Sequence, residues 1–202
     1  MSIPLSTSQV AALLREAFDV QNIDAAKVLH LVRARRFTDI GPGRSVRIDS
    51  TEVDGFLTDT RHVTRVEWPC ELLYRLSLVA LHENPIYDQD GHLMRQFAGV
   101  DYKKMDPCGR PLLKKERRAA WEGVWPVSDR VADLAASKGA TLMGTVKGYV
   151  GPKQLRTITG WHRDWSCGRV WWETARPRDD VRDFVGTGVW MDVSAGQKNA
   201  WA

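Results

Sequence analysis

Apolar residues at Val10, Leu13, Leu14, Ala17 and Phe18 fall at i, i+3, i+4, i+7 and i+8, the stripe of an amphipathic helix. Ser6 and Thr7 stand ahead of the run as N-cap residues, so the spacing predicts a first helix over residues 8–18. A second run opens on Asp24, a further N-cap residue, and continues to about Arg35. At 100° per residue Ala25, Val28, Leu29 and Val32 gather on one side of it, while Lys27, His30 and Arg33 point the other way. One face is built to pack and the other is cationic.

Residues 36–48, RFTDIGPGRSVRI, hold a turn on Gly41-Pro42-Gly43 and an alternating Val46-Arg47-Ile48, which predicts a short β-hairpin with Arg44 at its tip or just beyond. Asp49 or Ser50 then caps a short helix, STEVDGFL, whose Val53, Phe56 and Leu57 fold back on the first two helices. The expected order is helix, turn, basic helix, hairpin, helix.

The strings LSTSQVAALL, KVLHLVRARRF and IGPGRSVRIDSTEVDGFL, in that order, resemble the small winged helix-turn-helix domain of the excisionase and MerR-like family over about residues 5–57. The link REAFDVQNIDAA is several residues longer than the tight turn usual there. The resemblance implies a recognition helix that enters the major groove of DNA and a wing that touches the backbone or a neighbouring minor groove. On that basis Asn22, Lys27, His30, Arg33, Arg35 and Arg36 are candidate contacts of the helix, and Arg44 and Arg47 of the wing.

At 202 residues the chain suffices for one large domain or two small ones, and 43% hydrophobic with 27% charged residues belongs to an ordinary globular protein. The division expected is a winged helix-turn-helix at residues 1–66 and an α+β domain at 67–202 that ends in an antiparallel sheet. No run approaches the ~20 apolar residues of a membrane span, and the opening MSIPLSTSQ lacks the pattern of a secretory signal, so a cytoplasmic protein without membrane contact is expected. Cys70, Cys108 and Cys167 lie far apart with no C-x-x-C pair, which favours thiols over a disulfide frame or a zinc site. The absence of a heptad run favours a monomer.

Beyond a connector at 58–69, CELLYRLSLVALHE reads as a helix burying Leu72, Leu73, Leu76 and Val79, ENPIYDQDGH as a polar turn, and FAGVDY as a strand. SDRVADLAASKG, with Ser128 as cap and Gly139 as stop, is a short helix. TLMGTVKGYV, QLRTITGW, GRVWWET and TGVWMDV are β-rich.

The net charge of +4 is too mild to name a partner by itself. Residues 1–48 carry seven Lys and Arg against four acids, and Asp49, Glu52, Asp54 and Asp59 cancel that excess, so the exposed face must carry the case for DNA. A second basic stretch, Lys103, Lys104, Arg110, Lys114, Lys115, Arg117 and Arg118, faces only Asp106 and Glu116. Lys114 and Lys115 within it would attract a phosphate backbone through salt-sensitive contacts. In GWHRDWSCGRVWW, Trp161, Trp165, Trp171 and Trp172 alternate with His162, Arg163 and Arg169, a pattern shared by stacking platforms and by core; adjacent Trp171 and Trp172 on a strand must point oppositely, so at least one is core. Arg163 joins the candidate DNA contacts.

Enzyme signatures are weak. Asp88-Gln89-Asp90-Gly91 has the first residues of a calcium loop but an early glycine and no closing Glu, and no Walker loop, dinucleotide fingerprint or H-E-x-x-H occurs. The function expected is sequence-specific binding of double-stranded DNA by a regulator or architectural factor of a phage or mobile element, with no catalytic residue, cofactor or metal. The C-terminal part would add DNA contacts, sense a small aromatic or cationic ligand among tryptophans, or bind a protein. The alternative from another class is a nucleic-acid-processing enzyme delivered by its winged helix.

Overall fold

The first strand, β1 (Pro4–Ser6), ends on the residue that caps helix α1 (Thr7–Phe18). The Ser6 hydroxyl accepts from the Gln9 amide at 3.3 Å and Gln9 Oε1 accepts from the Ser6 amide at 2.8 Å, so two orphan donors are satisfied reciprocally. The computed structural model describes residues 2–69, 73–191 and 199–201. α1 stops where Asp19 takes a φ of 50°, and the Arg15 guanidinium crosses the following link to the Ile23 carbonyl at 2.7 Å. Asp24 caps α2 (Ala25–Arg33) by accepting from the Lys27 amide at 2.8 Å, and Asp49 caps α3 (Ser50–Asp59) through the Thr51 amide. Val10, Leu14, Phe18, Val28, Val53 and Phe56 are buried among these helices as expected of their spacing, whereas Ala25, Leu29 and Val32 of the expected α2 stripe are only half-buried, Ala17 is exposed, and Leu31, outside that stripe, is buried.

The hairpin expected over 36–48 is not formed. Strand β2 (Arg47–Asp49) pairs antiparallel with β1, with Leu5 opposite Ile48. Residues 38–46 make a loop closed by the Ile40 amide on the Arg47 carbonyl and by the Asp39 carboxylate, which accepts from the amides of Gly41 at 2.9 Å and Arg47 at 3.0 Å. A side chain thus takes the amides that a ladder would have used, and β1 supplies the strand partner.

The connector contains β3 (Arg61–Val63), which enters the main sheet. The helix expected over CELLYRLSLVALHE is strand β4 (Leu73–Leu78); Leu72 lies outside the described residues, and Val79 is exposed. Tyr74 and Leu78, the buried pair, are four residues apart, a spacing that a helix and a strand share, and pairing with a neighbouring strand decides between them. The expected turn ENPIYDQDGH is strand in its first half, within β5 (His82–Tyr87), and turn in its second, Asp88–His92, which joins β5 to β6 (Leu93–Ala98) in a ribbon. Helices α4 (Lys114–Glu122) and α5 (Asp129–Ser137) precede β7 (Thr141–Val146), β8 (Tyr149–Val150), β9 (Leu155–Asp164) and β10 (Arg169–Ala175). Helix α6 (Asp179–Val185), β11 (Val189–Met191) and β12 (Asn199–Trp201) follow.

The fold is α+β. The sheet runs β10-β9-β7-β8-β11-β3, with β4 on the other side of β7 and β12 beyond it. Most pairings are antiparallel, as expected, and β4–β7 and β11–β3 are parallel. Lys147 and Gly148, both at positive φ, form the two-residue turn from β7 to β8. Apolar packing passes without a break from the N-terminal helices to this sheet: Phe18 stacks on Trp190 at 5.6 Å, and Phe56 meets Tyr149 at 5.0 Å. No helix among the described residues is long and apolar enough to cross a membrane.

Candidate functional site

Helix α2 and the loop after it present the cations expected to meet DNA, in varied states. Asn22 is exposed and accepts from the Lys27 ammonium at 3.0 Å. Lys27 and His30 are half-buried and Arg33 is exposed, so the polar stripe of α2 is present but low at its centre. Partial burial first, then Lys147 and Arg33, holds the His30 imidazole below its ordinary pKa, against the opposing pull of Asp24. Arg44 stands exposed in the 38–46 loop, and Arg47 is half-buried on β2.

Three of the expected contacts are engaged within the molecule instead. Arg35, at a φ of 62°, pairs with Asp101 at 3.2 Å and donates to the Asp106 carbonyl at 3.0 Å. The Arg36 guanidinium lies 4.8 Å from the Phe56 ring centroid and 5.2 Å from that of Tyr149. Arg163 is bound to the Asp129 carboxylate and, at 2.9 Å, to the Val127 carbonyl, which clamps β9 to the start of α5. The partners of Arg35 and Arg36 lie 20 to 113 residues away along the chain, and no local pattern announces them.

The tryptophans behave mainly as core. Trp68, Trp121, Trp172 and Trp190 are buried, Trp161 donates to Asp133 at 3.0 Å, and Trp165 is exposed. Of the adjacent pair, Trp172 is the core member, edge-on to Tyr74, and Trp171 covers Gly123, where a Cβ would come within 2.1 Å of its ring. Cys108 and Cys167 are free thiols, and Cys70 lies outside the described residues.

The basic segment 103–118 divides as well. Arg110 binds Asp106 and Glu116, Arg118 binds Glu122, and Lys103 donates to Thr38. Lys114 and Lys115, neighbours at the start of α4, face different hollows. Lys114 borders a cavity of about 450 Å³ enclosed by the 99–104 loop, α4 and the 149–156 stretch, with Arg36 reaching it from the end of α2. Lys153, Arg156, Tyr102 and Tyr149 also line it. This convergence of cations and rings was illegible in the sequence, apart from the Gly151-Pro152 turn that marks a break before Lys153.

The cavity is joined directly to α2. The Tyr102 amide caps the helix by donating to the Ala34 carbonyl at 3.1 Å, and Asp101, whose side chain is only 4% exposed, anchors Arg35. Burial pushes the Asp101 carboxyl up, while the Lys103 amide and Arg35 favour its charged form. Comparison of the chain with protein-family models, with curated proteins and with solved structures returns no match.

Proposed function

We propose that the chain is a sequence-specific double-stranded DNA-binding protein whose N-terminal unit acts as a winged helix-turn-helix, with α2 in the major groove and the 38–46 loop as its wing. The observation that carries the reading is the order strand, helix, basic helix, loop, strand, helix, with Lys27, His30 and Arg33 in one stripe and Arg44 exposed in the loop. A groove-binding helix needs one packed face and donors on the other, and a guanidinium at a loop tip suits the negative potential near the backbone. The resemblance over residues 5–57 makes a transcriptional regulator or architectural factor of a phage or mobile element the role it best fits. Arg35 and Arg163 are left out of the interface because carboxylates and carbonyls already hold their guanidinium groups, and Arg36 because its guanidinium lies over the Phe56 and Tyr149 rings.

Anisotropy titration of the full chain with selected and random duplexes at two salt concentrations tests the proposal. The expected result is tighter binding of the selected duplex, weakened at least several-fold by Lys27→Ala and by Arg44→Ala, with a shallower salt dependence in each variant. No binding at low salt would overturn it. Cleavage of labelled duplex with added Mg²⁺ would replace it with the nucleic-acid-processing alternative.

A further inference from the structure

The cavity beneath the end of α2 is lined by seven cationic side chains and two carboxylates, and both carboxylates are already occupied. Asp101 is paired with Arg35, and Glu122 with Arg118 at 2.8 Å and Arg156 at 3.4 Å. On the opposite rim Lys104 faces Lys153 and Arg117 closely enough that these two cations, Lys153 first, hold its ammonium below the usual lysine range. Like charges gathered at a concave surface, with the nearby acids already used, raise the local potential for an anion.

The inner wall has a different character. Trp121, Tyr102 and Tyr149 supply rings, and three buried polar atoms there, Arg36 Nε, Tyr102 Oη and Gln154 Oε1, have no hydrogen-bond partner. Native proteins rarely leave such atoms unsatisfied. The set offers donors and an acceptor, so a bare polyphosphate, which carries only acceptors, would leave Gln154 unsatisfied. Gly151 keeps this wall open: a Cβ there would lie 2.6 Å from Gln154 Oε1 and 3.3 Å from the Tyr102 ring. The volume is that of a site for a small organic ligand.

We propose that this cavity binds a nucleotide, its phosphates held by Lys104, Lys153 and Arg117 and its ring set against the Tyr102, Tyr149 and Trp121 wall. The expectation of an aromatic or cationic ligand among tryptophans is thereby changed in sign of charge, because the lining is cationic. Binding at this site does not depend on the DNA reading. A consequence that does depend on it is linkage: Arg36 lines the cavity just past the end of α2, and the Tyr102 amide of the cavity wall bonds the Ala34 carbonyl at that end, so occupancy and DNA affinity should alter one another reciprocally.

Calorimetric titration of the full chain with ATP, GTP, tripolyphosphate and adenosine at 0.15 M salt, without DNA, tests the proposal. Saturable binding of ATP or GTP is expected, at least tenfold tighter than tripolyphosphate or adenosine. The double variant Lys104→Ala, Lys153→Ala should lose tenfold or more in affinity while its Tm is unchanged or higher, because removing crowded ammonium groups relieves repulsion. Lys115→Ala, on the same helix but outside the cavity, should bind within twofold of the native chain. Failure of both nucleotides to bind, equal binding of tripolyphosphate, or equal weakening by Lys115→Ala would each overturn the assignment. If duplex binding fell in the double variant as far as nucleotide binding, the cluster would belong to the DNA backbone instead.

Discussion

His30 is the residue whose environment makes the sharpest statement about solution behaviour. Its folded pKa lies below the ordinary 6.5, through burial first and then Lys147 and Arg33. The unfolded chain therefore takes up the proton first, and His30 lowers stability as pH falls from about its unfolded value through its folded one. Phosphates arriving at α2 would reverse this, since they favour the imidazolium. DNA affinity measured by anisotropy should rise as pH is lowered from about 8 toward 6, in the range where histidine titrates, and His30→Gln should flatten the profile. An already flat profile in the native chain would place His30 away from the phosphates. The three diverted arginines teach a related lesson: residue type and spacing show that a cation exists, while its availability depends on which carboxylate, carbonyl or ring folding brings beside it.

Helix ends and the 38–46 loop carry the predictions at the scale of elements. Asp24 caps α2 through a single side-chain bond, and Asp24→Ala should lower stability by about 1 kcal/mol in denaturant melts. Asp39 closes the loop from its position outside any helix, and its carboxyl is held below the ordinary range by the amides of Gly41 and then Arg47. A carboxylate with a depressed folded pKa stabilises above its unfolded value and loses that contribution as pH falls through the folded one, so Asp39→Ala should remove part of the acid-induced loss of stability. The same variant should weaken DNA binding several-fold if the loop is a wing, because Arg44 would lose its fixed position. Gly41 is required for close approach: a Cβ would lie 1.9 Å from the Ser45 carbonyl oxygen, and Gly41→Ala should cost about 1–3 kcal/mol of stability.

For the whole molecule, the decisive feature is the core that joins the N-terminal helices to the sheet. Phe18 on Trp190 and Phe56 on Tyr149 bury apolar surface that residues 1–66 alone would expose. A fragment of residues 1–66 should therefore fail to give a cooperative melt by circular dichroism, although it holds all three N-terminal helices. Trp190→Ala in the full chain should destabilise by about 3–5 kcal/mol, and both parts should unfold in one transition. A stable fragment with its own transition would show that the interface is an accessory to two independent folds.

The amino-acid sequence by itself determined α1, α2, α3 and α5, because their periodic stripes act over one or two turns of chain, joined at the starts of α1, α2 and α3 by capping side chains. It also located the cations of α2, the turn-forming glycines and the need to bury one of Trp171 and Trp172. Tertiary structure decided the rest. Tyr74 and Leu78 fit either period until β7 supplied a strand to pair with. Val46–Ile48 alternates as a strand should, yet its partner was β1, some forty residues earlier in the chain. The nucleotide-sized cavity joins Arg36, Lys104, Arg117 and Lys153, which no local spacing relates, because their approach depends on the balance of core burial across the whole fold.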